Sequence, residues 1–354
     1  MLSNHPLWIS DMDMVIDSLP ALSELEGRSV LITGASGLIC SAIVHVLIRY
    51  NETHAGQIQI YAAARNREKL AGMFGDCMDR PCFTYVPYEA TAKPTSFPFS
   101  CDYIIHGAGN AYPAMITREP VETMTGNFIG LLGLLDYARQ RRVRRVLYIS
   151  SSEVYGKKDD ILPYDEGEYG YIDLLNARNS YSIGKRAAET LCVSYAEEYG
   201  VNSVIVRPGH IYGPTASAGD NRVSSAWAYA AARGEDIVMK SSGSQIRSYC
   251  YCLDCASAIL TVLLKGEKSS AYNISNRASI ASIRQIAEIL AESVGVSLRV
   301  ELPSKQDTSG FNPMSNSSLR GDRLEGLGWK GLFDAISGFS HTVTILKDER
   351  EHIE

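Results

Sequence analysis

A tyrosine and a lysine with a spacing suited to acid–base chemistry lie in residues 180–185, SYSIGK. Tyr181 and Lys185 are four residues apart, so a helix would place them one above the other on the same face. An ammonium group close to a phenol favours the phenolate and lowers a pKa that is ordinarily about 10. Tyr181 could then act as a base toward a hydroxyl group. The same spacing is common on exposed helices, so the pair needs support from other segments.

A cluster of serines supplies part of that support. Residues 148–156, YISSSEVYG, place three serines and Glu153 at the expected end of a buried strand. Serines at a strand end can form a turn and nothing more. Beside a tyrosine and a lysine, one of their hydroxyl groups could polarise a substrate oxygen, and the glutamate could decide which reaction follows.

A glycine-containing turn, TGASGLIC, lies upstream between a short apolar run and a helical pattern. Gly34 and Gly37 allow a tight turn in which the backbone approaches a pyrophosphate at the amino end of the helix. The usual third glycine is replaced by Cys40, whose small side chain predicts slightly wider packing of helix against strand. An oxidised nicotinamide ring bound here would accept hydride from a sugar carbon and would reinforce the effect of Lys185 on the phenol. A strand–helix turn that binds no ligand is the alternative.

The end of the second apolar run bears on the choice of dinucleotide. An acid there accepts hydrogen bonds from the ribose hydroxyls, whereas an arginine tolerates a ribose phosphate. This chain has Ala64 followed by Arg65, which leans toward the phosphorylated form. Arg65 could instead stack on adenine or lie in solvent, so NAD and NADP both stay open. Glu89, after the third run, is either an acceptor for the adenine amino group or a solvated loop acid.

Short apolar runs alternate with long helical patterns over the first part of the chain. The runs are residues 28–33, 57–64, 83–88, 102–109, 143–152 and 202–209. This alternation predicts right-handed βαβ units and an α/β fold, a Rossmann-like doubly wound parallel sheet.

The same patterns suggest three regions. Residues 1–27 form a helical extension, and 28–207 form the dinucleotide-binding domain. Residues 208–354 form a smaller, mixed α/β substrate region, with a strand near 271–275 that could return to the main sheet. Ligands of open α/β folds bind at the carboxyl ends of the strands, so the site is expected between the two larger regions.

Composition excludes several classes of function. A net charge of −6 offers no basic face for a nucleic acid, and no apolar run reaches the eighteen residues of a membrane span. The acidic first residues do not resemble a secretion signal, so the cytoplasm is expected, with the eight cysteines reduced. Cys250 and Cys252 would share a strand face and Cys255 would open a helix, so a metal site is not predicted.

Together these motifs resemble the extended short-chain dehydrogenases/reductases, the family of nucleotide-sugar epimerases, dehydratases and decarboxylases. The resemblance runs from about residue 28 to about residue 345, in the family's order. The matching segments are TGASGLIC, DYIIHGAG, TGNFIGLLGLLDYA, YISSSEVYG, SYSIGK, VRPGHIYGP, GSQIRSYCYCLD, AYNIS and LGW. It implies a nucleotide-diphosphate sugar as substrate and a tightly bound, recycled NAD(P)+.

The resemblance also implies roles for individual residues. Ser151, three positions before the valine of VYG, matches the catalytic hydroxyl, Tyr181 matches the base, and Lys185 matches its partner. Glu153 is the fourth catalytic candidate. The implied cofactor contacts are Gly34, Ser36, Gly37, Leu38, Ile39, Arg65, Glu89, Ala108 and Asn127, together with Tyr181 and Lys185.

Five further residues are implied on the substrate side. They are Ser152, Arg178, His210, Arg222 and Arg247. Arg247 matches the arginine that typically meets the nucleotide-sugar diphosphate. His210 stands where many members have asparagine, so it is either an added polar contact or a filler.

The resemblance narrows the reaction without fixing it. Members begin by oxidising the sugar at carbon 4, and 4,6-dehydratases carry an aspartate where this chain has Ser152, which counts against dehydration. UDP-glucuronate decarboxylases read TSEVYG, and residues 151–156, SSEVYG, match closely. Decarboxylation of a UDP-hexuronate is therefore favoured, a 4-epimerase stays open, and a sensor that binds the dinucleotide without chemistry is a third reading. The family also implies a homodimer through the helices around 120–139 and 181–199.

Overall fold

The computed structural model of the chain describes residues 2–92, 96–158, 160–301 and 314–351. The strands are β1 Ser29–Thr33, β2 Gln59–Ala64, β3 Phe83–Pro87, β4 Tyr103–His106, β5 Arg145–Ile149, β6 Ser203–Pro208, β7 His210–Tyr212, β8 Ile237–Met239, β9 Ile246–Tyr251, β10 Ala271–Ile274, β11 Ile280–Ser282, β12 Leu298–Val300 and β13 Asn316–Ser317. The helices are α1 Pro6–Asp17, α2 Leu38–His54, α3 Arg67–Phe74, α4 Pro113–Arg118, α5 Pro120–Arg141, α6 Ser180–Tyr199, α7 Val223–Ala232, α8 Cys252–Lys265, α9 Ile283–Val294, α10 Asp322–Gly326 and α11 Ala335–Glu351.

Seven strands form one sheet in the order β10-β6-β5-β4-β1-β2-β3. All of its neighbouring strands pair in parallel. Successive strands are added to one side of β1 up to β3 and to its other side from β4 onward. This switch point between β1 and β4 creates the crevice in which doubly wound sheets bind ligands. Helices α2 and α8 pack together with α1, while α5 and α6 pack against each other. The predicted Rossmann-like fold is confirmed.

A second group of strands lies beyond the main sheet. Strand β9 pairs in parallel with β7 and β13 and antiparallel with β11, and β8 pairs with β12. Helices α7, α9 and α11 pack around them. The cysteine-rich segment departs from the expected boundary, because β9 ends at Tyr251 and α8 already begins at Cys252. The described residues contain no cluster of three potential metal ligands.

The first residues of the chain are tied into the core. Trp8 of α1 is fully buried, and Asp11 accepts a hydrogen bond from the Tyr251 hydroxyl at 3.1 Å. The Asp11 carboxylate also lies 3.1 Å from Nδ1 of His341 on α11. Helix α1 thus joins β9 to the last described helix. Among the described residues, no helix combines the length and apolar character of a membrane span.

Candidate active site

The candidate catalytic hydroxyl lies just after β5. Ser151 precedes a 3-10 turn over Ser152–Tyr155, and its side-chain oxygen accepts a hydrogen bond from the Glu153 N–H at 3.2 Å. This bond fixes the first turn, because a serine in this position replaces a missing backbone acceptor. Ser151, Ser152 and Glu153 are all half-buried. The three residues therefore present polar groups at the carboxyl edge of the sheet.

Tyr181 and Ser151 face each other across that edge. Burial and the negative charge of Glu153 raise the pKa of the Tyr181 phenol to about 12, while a hydrogen bond with the Ser151 side chain acts in the opposite direction. Arg222 and Arg178 also act to lower this pKa. The lowered pKa expected from the Tyr–Lys spacing is therefore not a property of the chain by itself, since burial outweighs the neighbouring cations.

Lys185 lies one turn further along α6 and is 6% exposed. Its ammonium group donates a hydrogen bond to the Ile149 carbonyl oxygen at 2.8 Å and lies 5.7 Å from the centroid of the Tyr181 ring. Burial lowers the pKa of Lys185 to about 7, although Glu189 and Cys40 act in the opposite direction. The helical spacing of Tyr181 and Lys185 thus places both groups at the end of β5.

Glu153 is held by two neighbours. The Arg178 guanidinium donates to its two carboxylate oxygens at 3.0 and 3.1 Å, and the Ser182 hydroxyl donates to Oε2 at 3.1 Å. Two parallel charge-assisted bonds fix the orientation of a carboxylate as well as its position. Ser182 was not among the predicted site residues, although it directly follows Tyr181 in SYS and therefore lies within reach of the same turn.

The glycine turn has the geometry of an anion site. Gly34 has a φ of +75°, and a Cβ there would lie 2.8 Å from the Gly107 carbonyl oxygen, so a side chain is excluded on both counts. Gly37 occupies the N-cap position of α2 and has no side chain to cap it, which leaves the first N–H groups available to a phosphate. The residues that follow in the loop and first turn are partly exposed: Ser36, Leu38 and Ile39.

Cys40 fits where a third glycine is usual because the facing position is also a glycine. A Cβ on Gly107 would lie 2.4 Å from the Cys40 sulfur. Asn127 is fully buried beside the same turn, close enough that a Cβ on Gly109 would lie 3.2 Å from its Oδ1. Ala108 stands between these two glycines and is half-buried. The residues present therefore fit a dinucleotide whose pyrophosphate would be held at the N-terminus of α2.

Arg65 and Glu89 lie apart from the Tyr181 group, after β2 and β3, beyond β1 in the sheet order. Their charged groups are 3.8 Å apart, with 70% and 43% of the side chains exposed. Glu89 also accepts from the Thr91 hydroxyl at 3.2 Å. The predicted adenine-side acid and the predicted ribose-side arginine are thus neighbours of each other.

The substrate-side candidates His210 and Arg247 lie on neighbouring strands. His210 is the first residue of β7 and pairs in register with Tyr249 of β9, two residues after Arg247. Burial, followed by the positive charges of Arg247 and Arg222, lowers the pKa of His210 to about 3. Arg222 is itself paired with the buried Asp220. A neutral imidazole whose pKa is lowered by two nearby arginines indicates a positively charged surface, which suits an anionic diphosphate.

Comparison with known proteins places this geometry in a family. The family described as "NAD dependent epimerase/dehydratase family" matches residues 30–275, which cover both the glycine turn and the Ser151–Tyr181–Lys185 group. The chain belongs to this family. A nicotinamide dinucleotide is the cofactor that the family name gives, in agreement with the fit of the α2 turn.

Members of the epimerase/dehydratase family that resemble the chain include decarboxylases. UDP-glucuronic acid decarboxylase 3 of Arabidopsis thaliana is 30% identical over 302 residues, covering 85% of this chain and 84% of the relative. UDP-glucuronic acid decarboxylase 1 of Xenopus tropicalis is 29% identical over 334 residues, covering 94% and 75%. A UDP-glucuronic acid 4-epimerase from Bacillus cereus, solved with NAD and a fluorinated UDP-sugar, superposes with a TM-score of 0.77 at 18% identity, covering 91% and 99%. At that identity the epimerase structure supports the fold alone.

Proposed function

We propose that the protein oxidises carbon 4 of a nucleotide-linked sugar, decarboxylates a UDP-hexuronate and returns the hydride, converting UDP-glucuronate to a UDP-pentose. The observation that carries this proposal is the turn after β5, where Ser152 replaces the dehydratase aspartate and Glu153 is held by Arg178 beside Tyr181. Similarity to decarboxylases over 85% of the chain supports the same reaction.

The chain's own groups have separable tasks in this reaction. When bound, the dinucleotide accepts hydride from sugar carbon 4 and later returns it, so the overall conversion is redox-neutral. Tyr181 takes the proton of the carbon 4 hydroxyl, and the Ser151 hydroxyl orients and polarises that oxygen. A 4-keto uronate is a β-keto acid, so the carboxylate leaves as carbon dioxide and the electron pair of the broken bond forms an enolate between carbon 5 and the carbon 4 oxygen. A proton from solvent then adds to carbon 5, and Tyr181 returns its proton to the carbon 4 oxygen as the hydride is returned to carbon 4.

The substrate's charges match the residues around Tyr181. Arg222 and Arg247 would hold the diphosphate, with His210 as a neutral polar contact between them. Arg178 stands where it can neutralise Glu153, so that the uronate carboxylate does not meet an unpaired acid. We assign Ser152 to a hydrogen bond with the sugar, because it begins the turn that holds Glu153.

The deciding experiment is incubation of the purified protein with UDP-glucuronate, followed by mass spectrometry of the nucleotide sugars. A product that has lost carbon dioxide supports decarboxylation. A product of unchanged mass and altered retention identifies a 4-epimerase, for which Ser151, Tyr181 and Lys185 would suffice. Loss of water from a UDP- or dTDP-hexose identifies a dehydratase. Bound dinucleotide without turnover of any nucleotide sugar identifies a binding protein.

We further propose a homodimer through α5 and α6. Three apolar side chains on α5, Val121, Met124 and Phe128, are 66%, 40% and 37% exposed. Their spacing of three and four residues places them on one face of the helix. Val193 of the neighbouring α6 is also 38% exposed. An apolar strip on two packed helices is suited to pairing with the same two helices of a second copy.

A further inference from the structure

A buried aromatic ring lies beneath the Lys185 ammonium group. Tyr148, the fourth residue of β5, is 1% exposed, and Nζ of Lys185 lies 4.7 Å from the centroid of its ring. A lysine ammonium has three N–H donors. Among the described residues it makes one hydrogen bond, to the Ile149 carbonyl oxygen. The ring face of Tyr148 is therefore a close neighbour of this buried cation.

The Tyr148 ring is itself fixed from two sides. Its hydroxyl donates a long hydrogen bond of 3.4 Å to Oδ1 of Asn127, whose amide in turn donates to the Thr123 carbonyl oxygen at 2.7 Å. The His106 ring stacks on it with centroids 5.8 Å apart and an interplanar angle of 27°. His106 is anchored by a 2.7 Å contact between its Nδ1 and the Thr33 hydroxyl. The ring therefore has little freedom to leave its place under Lys185.

The charged and titratable groups around Lys185 do not by themselves hold the ammonium firmly. Glu189, on the same helix as Lys185, favours the charged form of the lysine. Both Glu189 carboxylate oxygens, however, already accept hydrogen bonds from Arg207 at 2.7 and 3.0 Å. Cys40 of α2 acts in the same direction, and His106 of β4 also senses the lysine charge. Burial opposes these effects and brings the Lys185 pKa to about 7. Near neutral pH, a modest additional interaction with the ammonium group is therefore enough to decide whether Lys185 is charged.

We propose that Tyr148 is a positioning residue for Lys185, whose ring face holds the ammonium charged and in place beside Tyr181. The physical basis is the attraction between a cation and the negative face of an aromatic ring, which is strongest where the cation is desolvated. The inference rests on the proposed function only in taking Lys185 as the partner of Tyr181. No residue of the glycine turn and no substrate contact is involved.

The test is a titration of Lys185 in the folded protein with bound cofactor left in place. Lysine labelled with carbon-13 at Cε is followed by NMR from about two pH units below to about four pH units above the Lys185 pKa of about 7, and the Lys185 signal is assigned by its loss in Lys185→Met. Tyr148→Phe keeps the aromatic ring face, so the midpoint of the Lys185 titration in this variant should match the midpoint in the unmodified protein. Tyr148→Leu and Tyr148→Met remove the ring, so their midpoints should fall by about one pH unit. Methionine fills more of the volume and serves if the leucine variant does not fold.

Two outcomes would overturn the proposal. Unchanged midpoints in the leucine and methionine variants would show that the ring face does not hold the charge. An equally large shift in Tyr148→Phe would assign the effect to the hydroxyl and Asn127 instead. The titration needs no turnover, so it gives an answer even if UDP-glucuronate is not a substrate. Where turnover is found, the alkaline limb of kcat/KM should move to lower pH in the leucine and methionine variants only.

Discussion

The Glu153 carboxylate and the Arg178 guanidinium form a two-pronged ion pair, with N–O distances of 3.0 and 3.1 Å. Both side chains are more than a third exposed, at 35% and 38%. Ion pairs this exposed contribute little to stability, about 0 to 1 kcal/mol. The main effect of the pair is therefore to fix one negative and one positive charge beside Tyr181. The Glu153 charge raises the pKa of the Tyr181 phenol, and the Arg178 charge lowers it.

Substitutions of the two partners should move the Tyr181 pKa in opposite directions. Glu153→Gln removes a negative charge that raises this pKa, so the acidic limb of kcat/KM, which reports Tyr181 ionisation, should move to lower pH. Arg178→Gln removes a positive charge that lowers it, so the limb should move to higher pH. The measurement is a pH–rate profile with the substrate found by mass spectrometry.

A matched control for charge alone is Glu168→Gln, because Glu168 pairs with Lys158 in the same connecting segment. Its profile should match that of the unmodified protein. Shifts of the same sign in Glu153→Gln and Arg178→Gln would contradict the assignment of the limb to Tyr181. The melting temperatures of all three variants should differ from that of the unmodified protein by only a few degrees, since each substitution disrupts a partly exposed ion pair.

Tyr181→Phe should lower the turnover rate by about 10² to 10⁴ and preserve cofactor binding. The ring remains in the buried site on α6, where it is 6% exposed, while the group that takes the proton is lost. Loss of a positioned base costs about 10² to 10⁴ in rate. Single-turnover assays measure the rate, and the dinucleotide released on denaturation measures binding. Turnover within a few-fold of normal would contradict the assignment of Tyr181 as the base.

The sequence predicted those features of the molecule that depend on local periodicity. Alternating apolar runs and helical patterns specify a parallel sheet, and the glycine spacing specifies the turn before α2. The four-residue spacing of Tyr181 and Lys185 is a property of any helix, so their common face was also predictable.

Features that depend on contacts between segments far apart in the sequence could not be predicted from local periodicity. The pKa of Tyr181 in the chain without dinucleotide is set by its burial and by Glu153, which lies on another element, so its direction does not follow from the spacing of Tyr181 and Lys185. Tyr148 appeared only as one apolar residue of a strand, because its role depends on where α6 places Lys185. Cys40 could be accommodated only because Gly107, in another strand–loop segment, faces it.

The Arg65–Glu89 contact bears on the choice of dinucleotide. With Glu89 3.8 Å from Arg65, a ribose phosphate would have to approach an arginine that already has an acidic neighbour. We therefore expect the protein to prefer NAD to NADP, and Glu89→Gln to raise the relative affinity for NADPH by up to about fivefold. Protein freed of dinucleotide and titrated with NADH and NADPH by fluorescence gives both dissociation constants. Glu68→Gln, which removes an exposed acid nearby on α3, should leave their ratio unchanged.

The apolar strip on α5 should control the oligomeric state. Phe128→Glu introduces a charge on the face that also carries Val121 and Met124, and burying an unpaired carboxylate in an interface is strongly unfavourable. The dimer expected for the unmodified protein should therefore become a monomer, as measured by light scattering after size-exclusion chromatography. Ile336→Glu provides the control, because Ile336 on α11 is 64% exposed but lies outside α5 and α6. A dimer that survives Phe128→Glu, or one that Ile336→Glu dissociates, would place the interface on another surface.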